Sequence, residues 1–201
     1  MALTSKISNF IEKVGQGVKP NMFQVELFFP QQLSLQDGDQ ETMNLLCKSA
    51  ALPASNIGVI EVPFRGRTVK IAGDRTFDTW SPTFIVDKDM KTRALMEQWM
   101  EYINGNAGNT ADLLTPNNSE GYTADLLVHQ LEKGAEPTSS SYIRTYKLWY
   151  AFPTNVSQID LAYDSNDQVE EFSVEFQYSY WTTEDANSVR SNPQINQDVN
   201  W

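Results

Sequence analysis

Cysteine and histidine are nearly absent from this chain of 201 residues, which contains one of each, Cys47 and His129. A single cysteine excludes an intramolecular disulfide, and the two residues are too few for a structural zinc site of the Cys/His type. No apolar run approaches the ~18 residues that a membrane-spanning helix needs. The N-terminal sequence MALTSKISNF also lacks the charged and then apolar segments of a signal peptide. We therefore expect a protein of a reducing cytoplasm, with no export and no membrane insertion.

Basic residues are scarce as well. The chain has 15 lysine and arginine residues against 26 aspartate and glutamate residues, which gives a formal net charge of −11 and a pI near 4.5. Proteins that bind nucleic acids neutralise phosphates with basic side chains, so this balance argues against that class. The acids are unevenly spread, because no basic residue occurs between Lys147 and Arg190.

The remaining composition is typical of a folded protein. Hydrophobic residues make up 40% of the chain and aromatic residues 11%, which is too apolar for a disordered protein. A chain of this length buries roughly 70% of the surface that its unfolded state exposes. We predict a single domain over residues 1–181, with an N-terminal helical arm at 1–18, an inserted polar loop at 31–45 and a C-terminal tail at 182–201.

Two helices are predicted from the spacing of apolar residues. The longer one follows Asp87, whose side chain is expected to cap it, and ends at Asn104-Gly105. The shorter one is N-terminal and would end at Gly15. Its apolar residues lie three and four positions apart: Leu3, Ile7, Phe10, Ile11 and Val14.

Most of the chain predicts β-structure. In the last third, aromatic and polar residues alternate, which predicts strands at 145–152, 159–163 and 172–180 with a turn at 153–155. One face of these strands is aromatic and the other is polar and acidic, the pattern of a sheet that packs on one side. Shorter runs typical of strands lie at 23–27, 59–62, 68–72, 83–86 and 123–131.

The search for catalytic residues is negative. A nucleophile with a histidine base would have to use His129, which lies among apolar residues in LLVHQL. We interpret His129 as an ordinary strand histidine, because no nucleophile motif accompanies it. Cys47, in LLCKSA, is typical of a buried small residue. We therefore predict no catalytic, cofactor-binding or metal-binding residue.

One short region carries the opposite charge to the rest of the chain. Arg65, Arg67, Lys70 and Arg75 lie close together in the sequence, with Asp74 among them. Two interpretations remain for this basic cluster. It is either a solvated hairpin, whose charges contribute little, or a contact arm that reaches an acidic patch on another copy of the protein.

Four segments of the chain carry a family resemblance. They are KPNMFQVELF (19–28), CKSAALPA (47–54), GRTVKIAGDRTFDTWSPTFIVD (66–87) and KLWYAFPTNVSQIDLAYDSNDQVEEFSVEFQYSYW (147–181). Together they span most of residues 19–181, and within them AGDRTFDTW and FPTNV are the most specific. This sequence resembles the tail tube proteins of contractile-tailed bacteriophages, and it departs from them at the 31–45 insertion and after Trp181.

The resemblance implies both a fold and a role. The fold would be mainly β, with two packed antiparallel β-sheets, as in a sandwich or barrel, one flanking α-helix and a short N-terminal helix. Six copies would form a ring, and rings would stack into a hollow tube through which viral DNA passes without specific binding. A related tube fold occurs in type VI secretion systems. The role would be structural rather than enzymatic, with no cofactor.

The implied partners are other copies of the chain, the tail sheath, the tape-measure protein, the baseplate and the tail terminator. The implied location is the phage tail inside the sheath, after assembly in the host cytoplasm. We assign the basic cluster to contacts between subunits or rings: Arg65, Arg67, Lys70, Asp74 and Arg75. A bore that passes DNA must avoid binding phosphate, and we assign to it three acids of the last predicted strands: Asp160, Glu171 and Glu175.

Two other classes of protein remain as alternatives. An adaptor of the same fold, at the baseplate or the tail end, would initiate or cap the tube and would not polymerise by itself. An enzyme or ligand-binding β-barrel would need several polar residues that converge in a pocket. The sequence offers no such set.

Overall fold

The computed structural model describes residues 7–15, 17–33, 35–108, 121–134 and 141–185. None of the helices in these ranges is both long and apolar enough to cross a membrane. The elements, in chain order, are α1 (Ile7–Gly15), β1 (Phe23–Leu27), α2 (Asp39–Leu45), β2 (Cys47–Ser49), β3 (Asn56–Phe64), β4 (Arg67–Thr76), β5 (Thr83–Ile85), α3 (Lys91–Ile103), β6 (Ala124–Leu131), β7 (Tyr142–Val156), β8 (Glu171–Gln177) and β9 (Tyr180–Asp185).

Seven of the described strands form one curled antiparallel sheet. Its order is β1-β6-β7-β8-β5-β2, and β9 also pairs with β7. The first part of β7 pairs with β6 and β9, whereas its last part, from Phe152 to Val156, pairs with β8. Because β7 belongs to both halves, the sheet turns from one layer into the other along this strand. The predicted fold class is confirmed.

The bend in β7 lies at Tyr150. This residue has a φ of +54°, a left-handed conformation that is uncommon outside glycine and that breaks the regular pleat. Beside it, the backbone N–H of Ser179 donates to the carbonyl of Trp149 at 3.0 Å, at the point where β8 gives way to β9. The chain from β8 to β9 therefore bends together with β7, and the two remain paired through the bend.

A single apolar core lies between the two halves of the sheet and the helices α2 and α3. Trp99 of α3 is fully buried, with its ring centroid 5.4 Å from that of Phe29 and 5.9 Å from that of Phe176. Its indole N–H donates to the carbonyl of Tyr122 at 2.7 Å. Among the described residues, the other fully buried large side chains are Phe84, Phe172, Phe176, Leu27, Met43, Met96, Leu126, Leu148, Val25, Val128 and Val174.

Asp87 caps α3, as predicted. Its carboxylate accepts hydrogen bonds from the backbone N–H of Lys91 at 3.2 Å and of Thr92 at 2.9 Å, and from the Thr92 hydroxyl at 2.8 Å. The residue directly before the helix is Met90, which has a φ of +54°. The capping residue therefore lies three positions before Met90, which occupies the ordinary N-cap position. The left-handed backbone at Met90 lies between Asp87 and the helix.

The predicted turn at 153–155 is wrong, because β7 continues through it to Val156. Pro153 lies opposite Phe176, and the register shifts between Pro153 and Asn155. A proline lacks the N–H that a regular ladder needs, and it is accommodated at such a bulge. The Thr154 hydroxyl donates to the carbonyl of Glu175 at 3.1 Å, so a side chain supplies a cross-strand bond there.

The predicted strand at 159–163 is also wrong. Residues 157–170 connect β7 to β8 without forming a strand, and Leu161 and Tyr163 point into solvent. Alternation alone does not make a strand, since its backbone groups need a partner. Before Phe152, β7 pairs with β6 on one side and β9 on the other, and from Phe152 onward it pairs with β8, so none of these ladders includes residues 159–163.

The structure differs from the predicted domain layout in two segments. The 31–45 loop contains α2, in which Met43 enters the core and the Asn44 amide oxygen accepts from the Leu27 N–H at 2.8 Å. The C-terminal tail does not begin at 182, because β9 carries the chain to Asp185 in register with Arg144. Residues 186–201, Leu3 and the rest of 1–6 lie outside the described residues.

Candidate functional site

The predicted basic cluster lies on a hairpin that stands apart from the curled sheet. Strands β3 and β4 pair with each other as a separate two-stranded sheet. The turn between them is Arg65-Gly66, with φ values of +47° and +80°. Two successive left-handed residues make the type of two-residue turn whose twist matches that of the flanking strands. Gly66 adopts this conformation without strain.

The two faces of this hairpin differ in chemistry. One face carries the facing pairs Val59–Ala72, Pro63–Thr68 and Glu61–Lys70, and the last pair forms an ion pair at 3.3 Å. The other face is apolar up to the tip, and all its large side chains are exposed to solvent. We call it the apolar face, and it consists of Ile60, Val62, Phe64, Val69 and Ile71.

An isolated two-stranded hairpin is at best marginally stable in water. This one exposes nearly every residue along both strands, with Gly73 as the half-buried exception. A contiguous exposed apolar patch on a folded protein typically marks an interaction surface. The hairpin is therefore a candidate interaction surface. Its apolar face would contribute most to the free energy of a contact, because it has the most apolar area left to bury.

Three of the five predicted contact residues lie at the two ends of the hairpin. Arg65 is at the tip, with its guanidinium carbon 5.3 Å from the centroid of the Phe64 ring, and Arg67 lies opposite Phe64. Arg75 is at the base, opposite Ile57, where its guanidinium donates to the Ser55 hydroxyl at 3.0 Å.

Lys70 and Asp74 complete the predicted set. Lys70 lies midway along β4 in its ion pair with Glu61, and Asp74 lies at the register shift near the base. The structure therefore brings all five predicted residues onto one element, but spreads them along its length rather than into one patch.

The structure separates the three acids that were assigned to a bore. Glu171 and Glu175 share the exposed face of β8, alternating with the buried Phe172, Val174 and Phe176 as predicted. Glu171 is paired, because Lys48 Nζ lies 2.6 Å from its carboxylate.

Asp160 does not lie on a strand with these two residues, so that part of the prediction is wrong. It is in the connection between β7 and β8, where its carboxylate accepts from the Gln158 side-chain amide at 3.1 Å. Because Asp160 lies in a loop, the pleat of a sheet does not set the direction of its side chain. Its alternation with apolar residues in the sequence therefore does not predict which way this side chain points.

Sequence reasoning missed the apolar face altogether. The basic residues stand out because they contrast with an acidic chain, whereas isoleucine and valine in β3 and β4 predict only that these segments are strands. Which residues share a face depends on the pairing register, since a one-residue slip moves every side chain to the other side. The available signal was the pair of β-prone runs around Arg65-Gly66, a sequence compatible with a tight hairpin turn.

The two residues considered for catalysis are structural. His129 is buried, its Nδ1 lies 2.8 Å from the Thr145 hydroxyl, and its ring stacks on Tyr142 with centroids 4.0 Å apart. Burial raises the pKa of the Cys47 thiol to about 12, against a smaller opposing effect of a hydrogen bond with the Ser49 backbone, so it is protonated at neutral pH. Over the described ranges, no three acidic, histidine or cysteine side chains are grouped as a metal site requires.

Comparison with known proteins gives two kinds of match. The phage tail tube protein family matches this chain over residues 18–184. Tail tube protein gp19 of Enterobacteria phage T4 is 33% identical over 167 residues, which cover 83% of this chain and 92% of that protein.

Two solved assemblies contain chains of the same fold. A chain in the baseplate of the anti-feeding prophage superposes with a TM-score of 0.58 at 12% identity, over 85% of this chain and 97% of that one. A chain in the sheath-tube complex of an extracellular contractile injection system gives 0.53 at 14% identity, over 90% and 99%. At these identities the similarity to the solved structures shows a shared fold only. The family match and the phage relative, in contrast, show homology at the level of the sequence. The chain belongs to the phage tail tube protein family.

Proposed function

We propose that this chain is the subunit of the inner tube of a contractile phage tail. Six copies close into a ring, and the rings stack into a hollow conduit for the ejection of viral DNA into the host. Family membership over residues 18–184 supports this role. The observation that carries the assembly itself is the β3–β4 hairpin, whose apolar face is exposed and is not covered by the described residues of its own copy.

The hairpin acts as a contact arm between copies. Its apolar face supplies the burial, and the basic residues at its tip supply the charge that fixes the register. The curled sheet ends at β1 and β2 in the described part of the chain, and these edges are available for pairing between neighbours. Contacts between unlike surfaces close into rings or continue as stacks, which is the geometry that a tube needs.

The bore is lined in part by acids that do not hold DNA. Glu171 and Glu175 are on the polar face of β8, and Asp160 precedes them in the loop. Six copies at −11 each give a ring with a formal charge of −66. Salt limits the reach of this repulsion to about 8 Å, so it prevents the phosphates from sticking to the wall without blocking their entry.

The tube works inside a larger particle. Its outer surface meets the tail sheath, its ends meet the baseplate and the terminator, and a tape-measure protein sets its length. The mature location is the tail of the virion, inside the sheath, after assembly in the host cytoplasm. The fold similarity to a chain from a sheath-tube complex supports this placement.

Assembly is tested by electron microscopy of the purified protein at rising concentration. We expect hollow tubes from the wild type, and none from a variant with Arg65→Glu, Arg67→Glu and Lys70→Glu that keeps a native circular dichroism spectrum. A matched control reverses three exposed lysines elsewhere: Lys19→Glu, Lys88→Glu and Lys133→Glu. A normal tube yield from the hairpin variant would mean that the basic residues of the hairpin do not contribute to contacts between copies.

The bore assignment is tested in phage particles. Asp160→Lys, Glu171→Lys and Glu175→Lys together should slow DNA ejection while tubes of normal length still form, because each lysine adds a contact to the passing phosphates. Unchanged ejection kinetics would place these three residues elsewhere in the tube.

The alternative is an adaptor that starts the tube at the baseplate or caps it at the tail end. The similarity of the fold to a chain from a baseplate supports it. An adaptor adds one layer to a pre-formed baseplate and stops, whereas a tube subunit continues to add layers. Electron microscopy of the protein mixed with isolated baseplates therefore separates the two.

A further inference from the structure

The connection between β7 and β8 is an exposed and uniformly acidic segment, which we call the acidic loop (residues 157–170). It contains four acids and no basic residue. Its ends are held in place, because the Ser157 N–H donates to the Ser173 carbonyl at 2.9 Å and the Glu170 carbonyl accepts from the Val86 N–H at 2.9 Å. Every residue from 160 to 170 is exposed.

The acidic loop also presents apolar side chains that the described residues of its own copy leave exposed. Tyr163 is fully exposed, and Leu161 and Val169 expose most of their surface. Two turns shape the segment between them, with the Ser165 N–H donating to the Ala162 carbonyl at 3.2 Å and Asp167 in a left-handed conformation at φ +59°. Large apolar residues in a surface loop lose solvent contact only when another molecule covers them.

We propose that, in the assembled tube, the acidic loop of one copy packs against the hairpin of the next copy. The inference rests on the proposed tube function, and names the surface that receives the contact arm. In this arrangement Leu161, Tyr163 and Val169 cover the apolar face. The carboxylates of Asp164, Asp167 and Glu170 lie beside Arg65 and Arg67, whereas Asp160, at the start of the loop, stays on the side of the bore.

Charge is the first reason for this choice of partner. The hairpin from Asn56 to Thr76 has four basic and two acidic residues, so it carries +2 in a chain whose remaining residues carry −13. The acidic loop carries −4 over 14 residues. The two segments are therefore of opposite sign, and complementary charge both speeds encounter and fixes register.

The match of apolar surfaces is the second reason. The polar face of β8 also offers acids, but they alternate with core residues that point inward, and it has no exposed large apolar side chain to set against Ile60 or Val62. Among these two acidic surfaces, the loop alone combines negative charge with exposed apolar side chains.

The geometry of the chain is compatible with continued stacking. The hairpin and the acidic loop are different surfaces of the same molecule, so each copy offers one arm and one receptor. A contact between two unlike surfaces closes into a ring when the rotation between copies allows it, and otherwise leaves one surface of each kind unoccupied at the ends of a stack, to which further copies can add.

A charge exchange tests the contact. The hairpin variant carries Arg65→Asp and Arg67→Glu, which takes the hairpin from +2 to −2, and aspartate before Gly66 suits the left-handed turn. The loop variant carries Asp164→Lys, Asp167→Asn and Glu170→Lys, which takes the loop from −4 to +1, with asparagine tolerated at the positive φ. The third protein combines all five changes.

The critical concentration for tube formation is measured for each protein by sedimentation and electron microscopy. Each separate variant should raise it at least about tenfold, because like charges then face each other across the contact. The combined variant should bring it back to within about threefold of the wild-type value. A matched control makes the same +5 change at exposed acids elsewhere, with Asp89→Asn, Glu101→Lys and Glu132→Lys, and should assemble as the wild type does.

Each result has a distinct meaning. If the wild type forms tubes and the loop variant assembles equally well, the loop is not the receptor, while the proposed function stands. If both separate variants fail and the combined variant does not recover, the two surfaces do not meet each other, and the inference is again overturned. If the wild type forms no tubes by itself or on baseplates, the proposed function and the inference fail together.

Discussion

Replacing apolar side chains by threonine on the apolar face should weaken tube assembly without unfolding the subunit. The variant carries Ile60→Thr, Val62→Thr and Ile71→Thr. Threonine keeps the branched shape that suits a strand but puts a hydroxyl in place of a methyl group of valine or of the ethyl group of isoleucine. Because these side chains are exposed in a single copy, the folded subunit should change in stability by no more than about 0.5 kcal/mol per site.

The size of the effect follows from the exposed fractions. Ile60, Val62 and Ile71 are 53%, 43% and 52% exposed. Full burial of such a side chain contributes about 1.5–3 kcal/mol, so roughly half of that, about 1 kcal/mol each, is available to the contact between copies. Three substitutions therefore remove about 3 kcal/mol, which corresponds to an increase of roughly 100-fold in the critical concentration for assembly.

The assay is sedimentation of tubes over a range of protein concentrations, with electron micrographs of the pellets. Val59 and Val62 provide a matched pair, because both are exposed valines of β3 that lie on opposite faces. Val62→Thr should raise the critical concentration about fivefold, from a loss of about 1 kcal/mol. Val59→Thr should leave it within about twofold of the wild-type value.

If the triple variant assembles at the wild-type concentration, the apolar face stays in solvent in the tube, and the hairpin is a solvated element after all. If Val59→Thr and Val62→Thr weaken assembly equally, the hairpin is buried on both faces and the distinction between them is wrong.

Three further predictions concern the subunit itself. Cys47, whose pKa burial raises to about 12, should resist iodoacetamide at pH 8 in the native state and react after unfolding in urea; rapid native labelling would contradict this. Asp87→Ala should cost about 1 kcal/mol of unfolding free energy as the cap of α3 is lost, with Asp89→Ala as the neutral control in urea titrations. Burial opposes the ionisation of Asp87, but the hydrogen bonds from Thr92 and Lys91 lower its pKa overall, so its contribution is complete above the unfolded pKa of about 3.9 and is lost as the pH falls through the lower folded value. An equal acid sensitivity of the wild type and Asp87→Ala would refute that assignment. Trp99→Ala should destabilise the subunit by about 3–5 kcal/mol in the same titration, and a loss below about 1 kcal/mol would mean that α3 is not anchored in the core.

The sequence by itself determined the fold class and the buried face of β8. In β8, alternation between apolar and polar residues over 172–176 is a property of the chain alone, because successive side chains of a strand point to opposite faces. The position of α3 and its cap were equally local, since Asp87 lies a few residues before a run with helical spacing.

Local patterns failed where the partner of a segment decided the outcome. Residues 159–163 alternate as well as β8 does, yet they form no strand, because the neighbours of β7 are already β6, β8 and β9. Pro153 reads as a turn but continues β7 across a bulge opposite Phe176. The short helix α2 has too few residues for a periodic signal, and its placement depends on Met43 reaching the core.

The candidate site shows the same division. The sequence identified a basic cluster in an acidic chain, since charge is read directly from composition. It did not identify the apolar face, which exists only because the register sets Ile60 against Ile71 and Val62 against Val69. Nor did it identify the acidic loop as a surface, since the same residues pointed into a core if the segment was a strand. Charge and periodicity belong to the chain, whereas the choice of which side chains face the solvent is made by long-range pairing, and only the tertiary structure decides it.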